Sequence, residues 1–406
     1  MYLVICKVKT QQAISCYGLK SGLPLPFKLR RMLKFFKKKK EEKSSLMSGA
    51  AKTTDTKFYP LTVSEVRRET EEAVSISFEV SEELKKTFTF IPGQYLTLKT
   101  NIDGEEVRRS YSICAAPSDG ELRVAVKEIE GGKFSTYANR NLKAGTTIES
   151  MPPMGNFKWQ PSESPSHVVG WAAGSGITPI LSIAKTVLES NEKNTFTLFY
   201  GNKNSNSIIF KDALEDLKNN YVDRLEFHHI LSREDQGSDV TKGRIDGEKV
   251  KVFKDRFFKE ESVTAHYLCG PLGMIESVSE ALEQMGTQKE KIHFELFNTS
   301  APTADKKEAN TGTTGTSSVT VILDGEETHF EATGKDFVLD AALDAGADVP
   351  YACKGAVCCT CRAKVIEGSA EMVMNYALVD DEVKDGYILT CQAQPTSEKL
   401  IVSFDE

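Results

Sequence analysis

Apolar and polar residues alternate along short segments between residues 57 and about 157. Two of these segments have an apolar side chain at every second position, at Val74, Ile76, Phe78 and Val80 and at Leu122, Val124 and Val126. A period of two is typical of half-buried strands, and turn residues such as Pro92-Gly93 and Asp103-Gly104 separate the segments. The pattern predicts an antiparallel β-barrel over residues 57–160.

The pattern changes at about Ser166, where apolar strands begin to alternate with helical segments. Strands are predicted at 167–173, 195–201, 224–231, 265–269 and 291–297, and helices at 179–189, 210–219 and 274–285. Repeated strand–helix units require a parallel sheet with helices on both faces. We therefore predict an α/β domain over residues 161–297.

The remaining segments differ in composition. Residues 298–318 are rich in Ser, Thr and Gly and predict a flexible linker, followed by a small α+β, β-grasp-like module over 319–406. Residues 1–56 read as a basic, disordered extension, or as sequence upstream of a later start at Met32 or Met47. Attachment to an anionic membrane surface is the alternative for this basic extension.

Composition and charge narrow the class of protein. The 406 residues are 40% hydrophobic, with a net charge of -7, and the absence of an apolar run of about 18 residues predicts no membrane span. Residues 1–43 carry 12 basic and two acidic side chains, whereas residues 319–406 carry six basic and 17 acidic ones. The acidic module suggests a basic docking partner, and no nucleic-acid partner is expected.

The cysteine count bears on localisation. The chain has nine cysteines, an odd number, and no signal peptide is recognisable. Both observations favour the cytoplasm.

Four cysteines form the most specific motif of the chain. Cys353, Cys358 and Cys361 have the spacing C-x4-C-x2-C, and Cys391 follows later. This is the plant-type [2Fe–2S] spacing, in which three thiolates come from one tight loop and the fourth from another segment. A zinc site is the alternative, although only Cys358 and Cys361 form a C-x2-C pair.

A second group of residues predicts a flavin site. It comprises Arg109-Ser110-Tyr111-Ser112 at the end of a predicted strand, followed by Gly131-Gly132-Lys133-Phe134-Ser135. A flavin needs a cation for its pyrophosphate, an aromatic ring against the isoalloxazine and a hydroxyl near N5, and a helix start supplies N–H donors for phosphate. The alternative is an exposed strand with ordinary polar residues.

Three further motifs predict a nicotinamide nucleotide site at the carboxyl ends of the parallel strands. The turn Gly174-Ser175-Gly176-Ile177-Thr178 allows close approach of phosphate to a helix start, although Pro179 stands where a third glycine is usual. Ser232-Arg233 suits a 2′-phosphate and favours NADPH over NADH. Cys269-Gly270-Pro271 ends the fourth strand, where the thiol could flank the nicotinamide. A plain turn, a surface loop and a buried structural cysteine are the respective alternatives.

Taken in order, these motifs resemble the ferredoxin–NADP reductase superfamily. The appended cysteine module makes the chain similar to oxygenase-type reductases with a C-terminal ferredoxin. Finer features resemble the reductase components of phenylacetyl-CoA epoxidases, namely residues 108–114, 126–132, 243–249, 375–376 and 386–392. The resemblance spans about residues 58–405.

The resemblance implies a set of cofactor contacts. FAD would lie on Arg109, Ser110, Tyr111, Ser112, Val126, Lys127, Gly132, Lys133, Phe134 and Ser135. The nicotinamide nucleotide would lie on residues 174–178, Ser232, Arg233, Cys269, Gly270 and Pro271. Ser112 would hydrogen-bond the flavin N5, Cys269 would orient the nicotinamide, and Glu295 and Phe297 would lie near the flavin ring.

These observations predict an electron-transfer reductase. Electrons from NADPH or NADH would pass through FAD and a [2Fe–2S] cluster on Cys353, Cys358, Cys361 and Cys391 to a separate oxygenase, by resemblance the di-iron phenylacetyl-CoA epoxidase. Another oxygenase or a hybrid-cluster protein is an alternative acceptor. A zinc-binding protein without flavin is the alternative from another class.

Overall fold

The computed structural model describes residues 55–297 and 315–406. The predicted basic extension at 1–56 lies almost entirely outside the described residues, and so does most of the predicted linker at 298–318. Residues 54–406 group into one compact unit, within which three sheets mark the three predicted modules.

The first sheet has six antiparallel strands in the order β4-β3-β6-β1-β2-β5. The strands are β1 (Tyr59–Thr70), β2 (Ala73–Glu79), β3 (Tyr95–Ile102), β4 (Glu105–Ser112), β5 (Leu122–Lys127) and β6 (Thr147–Ser150). A bridge between Ile113 and Val124 joins the two edges. Helix α1 (Lys133–Arg140) packs Phe134 and Ala138 into the same core as the strands. The predicted antiparallel barrel is confirmed.

The second sheet is parallel, with the order β11-β10-β7-β8-β9. Its strands are β7 (His167–Ala173), β8 (Thr195–Asn202), β9 (Leu225–Leu231), β10 (Ala265–Cys269) and β11 (Ile292–Glu295). Its helices are α2 (Ile177–Ser190), α3 (Lys211–Asn220), α4 (Gly247–Phe257) and α5 (Leu272–Gln284). Separate apolar cores on its two faces confirm the predicted α/β fold, although β11 is shorter than expected and α4 was not predicted.

The third sheet carries the cysteine module, in the order β13-β12-β18-β14-β16. Its strands are β12 (Thr316–Leu323), β13 (Glu326–Thr333), β14 (Arg362–Glu367), β16 (Tyr387–Leu389) and β18 (Lys399–Ser403), with β15 (Ala370–Met372) and β17 (Ala393–Pro395) as a separate pair. The helices are α6 (Val338–Asp344) and α7 (Asp380–Lys384). Strands β12 and β18 pair in parallel at the centre of the sheet, which gives the predicted α+β module.

Polar contacts join the barrel to the parallel sheet. Ser182 of α2 donates to the Ala115 carbonyl at 2.6 Å, and the Tyr267 hydroxyl of β10 donates to the Lys158 carbonyl at 3.0 Å. These contacts fix the barrel against the parallel sheet along one seam. Within the described ranges, none of the helices combines the length and the apolar character that crossing a membrane requires.

Candidate active site

A cavity of about 290 Å³ lies where the three modules meet. Strands β4, β5 and β11, the start of α1 and the turn before α2 each contribute to its wall. Many residues predicted from the sequence line it, namely Arg109, Ser110, Tyr111, Ser112, Lys127, Gly132, Lys133, Phe134, Ser135, Ser175, Thr178, Glu295 and Phe297. The structure thus brings side chains from two stretches of the chain to one cavity. One set lies between residues 109 and 135 of the barrel, and the other between residues 175 and 297 of the α/β domain.

Several lining residues were not predicted as flavin contacts. They are Tyr95, Ala125, Ile129, Leu296 and, from the cysteine module, Cys353, Val357 and Cys358. Two of the proposed iron–sulfur ligands therefore border the same cavity as the predicted flavin residues. The spacing C-x4-C-x2-C indicates what the loop binds but carries no information on which surface it packs against.

The barrel side of the cavity has the shape and charge that a flavin nucleotide needs. The rings of Tyr111 and Phe134 lie 5.2 Å apart and form an aromatic wall. Arg109 and Lys133 add two cations beside the start of α1. A Cβ at Gly132 would lie 2.4 Å from Ser135 Oγ, so only glycine lets the chain close onto the helix start, where N–H groups can receive phosphate. The residues present fit FAD.

Ser112 and Glu295 connect the barrel to the α/β domain at the cavity wall. Ser112 Oγ donates to Glu295 Oε2 at 2.8 Å. Burial raises the pKa of the Glu295 carboxyl to about 8, against a smaller lowering effect of the Ser112 hydrogen bond. The carboxyl is therefore largely protonated at neutral pH, so that Glu295 can hold a proton beside the predicted N5 hydroxyl.

Replacing Glu295 with glutamine should stabilise the flavin-free protein increasingly as the pH rises from 5 to 8. A carboxyl whose folded-state pKa is raised binds more protons when folded, so its stabilising protonated form is lost as the pH rises towards 8. Glutamine does not titrate, and we expect its advantage to be about 2 kcal/mol larger at pH 8 than at pH 6. Urea unfolding of both proteins at the two pH values measures this; an advantage independent of pH would contradict it.

Two predicted nucleotide motifs meet at the carboxyl edge of the parallel sheet. A Cβ at Gly176 would lie 2.0 Å from the Cys269 carbonyl oxygen, so the turn before α2 packs directly on the start of the Cys269-Gly270-Pro271 segment. Ser232 and Arg233 follow β9 at the same edge, and their backbone N–H groups donate to the carbonyls of Asn202 and Lys203 at 2.9 and 2.8 Å. The three predicted motifs, residues 174–178, 232–233 and 269–271, therefore all lie along this edge, at the ends of β7, β9 and β10.

Some predicted residues lie away from the cavity. Val126 is fully buried in the barrel core, and its carbonyl accepts a hydrogen bond from Asn139 Nδ2, whereas the neighbouring residue Lys127 lines the cavity. Cys269 is also fully buried, and burial raises the pKa of its thiol well above the usual range. Cys269 is therefore a neutral thiol beneath the turn, and its suggested role in orienting the nicotinamide stays a prediction.

The four cysteines of the motif lie together in two pairs. Sγ of Cys353 and Sγ of Cys358 are 3.1 Å apart, and hydrogen bonding within this pair lowers the pKa of Cys358. Hydrogen bonding with Cys361 likewise lowers the pKa of Cys391. A [2Fe–2S] cluster needs two thiolates on each of two irons, and the two pairs fit one iron each.

The backbone of the cysteine loop also fits the cluster. Lys354 and Ala356 have left-handed φ angles of 50° and 61°, which wrap the loop around the sulfur atoms. The N–H of Gly355 donates to Cys353 Sγ at 3.3 Å, and Ala356 provides a backbone hydrogen bond to Cys391. Such N–H donors stabilise the negative charge of thiolate ligands.

Family models match all three modules in chain order. They are the oxidoreductase FAD-binding domain over residues 60–159, the oxidoreductase NAD-binding domain over 171–280 and the 2Fe-2S iron-sulfur cluster binding domain over 321–396. One subunit of the 1,2-phenylacetyl-CoA epoxidase of Escherichia coli is 45% identical over 86% of this chain and 98% of its own length. The chain belongs to the family of this epoxidase subunit. It is therefore an NAD(P)H-dependent oxidoreductase, which uses FAD and a [2Fe–2S] cluster to transfer electrons to an oxygenase.

Other similar proteins agree with membership of this family. The ferredoxin reductase component of 3-ketosteroid-9-alpha-monooxygenase from Rhodococcus rhodochrous is 32% identical over 85% of this chain and 96% of its own length. The structure of phthalate dioxygenase reductase covers 85% of this chain and 98% of its own, with a TM-score of 0.54 and 21% identity. A likeness at that identity shows the shared three-module fold.

Proposed function

We propose that this chain is the cytoplasmic, NADPH-dependent reductase that supplies electrons to a phenylacetyl-CoA epoxidase. The observation that carries the proposal is the 45% identity to one component of such an epoxidase, over nearly the whole length of that component. It is supported by a single cavity bordered by both the predicted flavin residues and two of the cluster cysteines. The arrangement suits a path from nucleotide to flavin to cluster.

The roles of the residues follow from their places in the cavity. Tyr111 and Phe134 would flank the flavin ring from one side, while Arg109, Lys133 and the start of α1 would bind its phosphates. Ser112 would donate towards the flavin N5, with Glu295 behind it as a partner that can hold a proton. When bound, FAD supplies the chemistry that links a donor of two electrons, the hydride, to an acceptor that takes one electron at a time.

The nucleotide would bind along the carboxyl edge of the parallel sheet. Gly174 and Gly176 would let its phosphates approach the start of α2. Ser175 of that turn and Thr178 at the start of α2 line the flavin cavity. Arg233 stands exposed at the end of the edge, after β9, where it can meet a 2′-phosphate. This placement favours NADPH.

Replacing Arg233 with alanine should weaken NADPH binding about tenfold, because a hydrogen-bonded charge pair with the phosphate would be lost. NADH lacks that phosphate, so its KM should stay the same. Steady-state kinetics with both nucleotides, and ferricyanide as acceptor, measure the effect. The matched control is Arg256→Ala, which removes an exposed arginine at the end of α4; an unchanged KM for NADPH in Arg233→Ala would contradict the assignment.

One spectrum and one reconstitution test the proposed function. The purified protein should show flavin and iron–sulfur absorption, and absence of both would leave the zinc-binding alternative. The protein should then support NADPH-dependent epoxidation of phenylacetyl-CoA by the oxygenase component of such an epoxidase. A protein that shows both bands and reduces an artificial acceptor, but leaves this oxygenase inactive, would serve a different acceptor, such as another oxygenase or a hybrid-cluster protein.

Transfer to the oxygenase should slow as the ionic strength rises. The cysteine module carries 17 acidic and six basic side chains over residues 319–406, and attraction between charged surfaces is screened at distances beyond about 8 Å in physiological salt. Turnover measured at increasing sodium chloride, with ferricyanide reduction as the control, tests this. A rate independent of salt would count against docking through an acidic face.

A further inference from the structure

The face of the cysteine loop that borders the flavin cavity is anchored on the barrel by buried side chains. Tyr95 of β3 is 4% exposed, and its hydroxyl accepts the backbone N–H of Cys359 at 2.9 Å. Thr97 lies two residues further along the strand, and its Oγ1 is 3.0 Å from Thr360 Oγ1. The anchored backbone therefore lies between the ligands Cys358 and Cys361.

The packing around Tyr95 leaves its ring little freedom. Met151 and Met154 of the barrel and Ala352 and Cys358 of the loop form one buried apolar cluster with it. A Cβ on Gly155 would lie 3.0 Å from two carbon atoms of the Tyr95 ring, so the glycine, at a φ of 117°, allows the barrel loop to close over the ring. The Tyr95 hydroxyl is thereby held next to the backbone N–H of Cys359 in the cysteine loop.

A second anchor holds the chain just before the first cysteine. Arg108 of β4 is only 6% exposed, and it donates to Asp348 Oδ1 at 2.9 Å and to the Val349 carbonyl at 3.4 Å. Its guanidinium also lies over the Tyr351 ring, 4.5 Å from the centroid. Glu106 binds its Nε at 2.7 Å, so the buried charge is compensated from both modules, as a buried arginine requires.

Arg108 is the immediate neighbour of Arg109, which lines the flavin cavity. Strand β4 thus directs Arg109 to the cavity and Arg108 to the cysteine module. On strand β3, Tyr95 and Thr97 lie on the same face, where both bind the cysteine loop and Tyr95 also lines the cavity. The distance between the flavin cavity and the cysteine loop is consequently set by strands β3 and β4 themselves.

We propose that Tyr95 and Arg108 are positioning residues that hold the cysteine loop at the wall of the flavin cavity, so that electron transfer between the two cofactors depends on them while cofactor binding does not. The inference rests on the proposed function and adds to it the residues that join donor to acceptor. Neither residue belongs to the predicted contacts of FAD, nucleotide or cluster.

The test uses the full chain with both cofactors and four variants, Tyr95→Phe, Arg108→Ala, Asp348→Ala and, as the matched control, Arg67→Ala. The Asp348 side chain is 86% exposed, so its removal leaves the fold intact even if Arg108→Ala is poorly folded. Arg67 pairs with Glu69 on the outside of the same barrel. Flavin and iron per chain, and ferricyanide reduction by NADPH, should be unchanged in Arg108→Ala, Asp348→Ala and Arg67→Ala. Tyr95 also lines the flavin cavity, so Tyr95→Phe is judged only by the exchange of the cysteine loop.

Two measurements report on positioning. Hydrogen exchange of the peptide containing residues 353–361 should become about tenfold faster in Tyr95→Phe, the effect expected for one lost buried hydrogen bond. Cluster reduction after rapid mixing with NADPH should become about tenfold slower in Arg108→Ala and Asp348→Ala, because each loses the charged hydrogen bond between the buried guanidinium and the exposed carboxylate. The double variant of Arg108 and Asp348 should be no slower than Arg108→Ala alone, because both single changes remove the same contact.

The outcomes separate this inference from the proposed function. Variants that keep both absorption bands but reduce the cluster as fast as Arg67→Ala would overturn the positioning role and leave the reductase function standing. Loss of flavin or iron from Asp348→Ala would also overturn it, because the residue would then act on cofactor binding. A wild-type protein without either band would overturn the proposed function itself.

Discussion

Cys391→Ser should lose the iron–sulfur cluster and, with it, electron delivery to the oxygenase. Cys391 comes from a separate segment between β16 and β17 and forms a pair with Cys361, so its removal leaves one iron with a single thiolate from the cysteine loop. Loss of a residue that only hydrogen-bonds to a metal ligand already costs about 10–100-fold in metal affinity, and loss of a direct ligand should cost at least about 100-fold in acceptor reduction. Reduction of ferricyanide by NADPH should persist, because the flavin site on the barrel is untouched.

Cys359→Ser is the matched control for this prediction. Cys359 is also buried and lies between the ligands, yet its thiol donates to the Ala377 carbonyl at 3.3 Å rather than taking part in either cysteine pair. A serine hydroxyl can replace that donor, so iron content and the visible spectrum should be retained. The ligand assignment would be wrong if Cys391→Ser kept its iron, or if Cys359→Ser lost iron to the same extent.

The elements of the α/β domain were predictable because their signals are local. The strands at 167–173 and 265–269 have the predicted bounds. In both, a short apolar run ends at a glycine turn, so the sequence itself marks where the strand ends. Helix α4 was missed, although Asp246 caps it and accepts the Lys249 N–H, and Val250 and Phe253 are buried at helical spacing. Those signals stand in a segment rich in charged residues, which hides the apolar stripe.

The chemistry of the site was predictable to a similar extent, whereas its assembly was not. The four cysteines are identified by spacing alone, and the flavin residues lie in two short stretches of the barrel. The contact of Tyr95 with Cys359 joins residues 264 positions apart, and the ion pair of Arg108 with Asp348 joins residues 240 apart. No local pattern encodes such a contact, because it depends on how two modules far apart in the chain pack against each other.

Gly176→Ala should abolish rapid reduction by NADPH while leaving both cofactors bound. An alanine Cβ would lie 2.0 Å from the Cys269 carbonyl oxygen and 2.4 Å from its carbon, and both atoms belong to the backbone of β10, which pairs with β7 and β11 in the centre of the sheet. The turn before α2 must therefore move by roughly 1 Å or more. A displacement of about 1 Å in a positioning element can cost about 100-fold in rate, and we expect a loss of that size in the rate of flavin reduction.

Gly273→Ala tests whether the loss comes from the close contact at Gly176. Gly273 lies in the neighbouring region, at the start of α5, and a Cβ there would meet no atom within 4 Å. Its replacement should favour the helix slightly and leave NADPH kinetics unchanged. Chemical reduction with dithionite should bleach flavin and cluster equally in both variants, since the barrel and the cysteine module are unaltered. If NADPH reduces Gly176→Ala as fast as Gly273→Ala, the turn before α2 does not position the nucleotide.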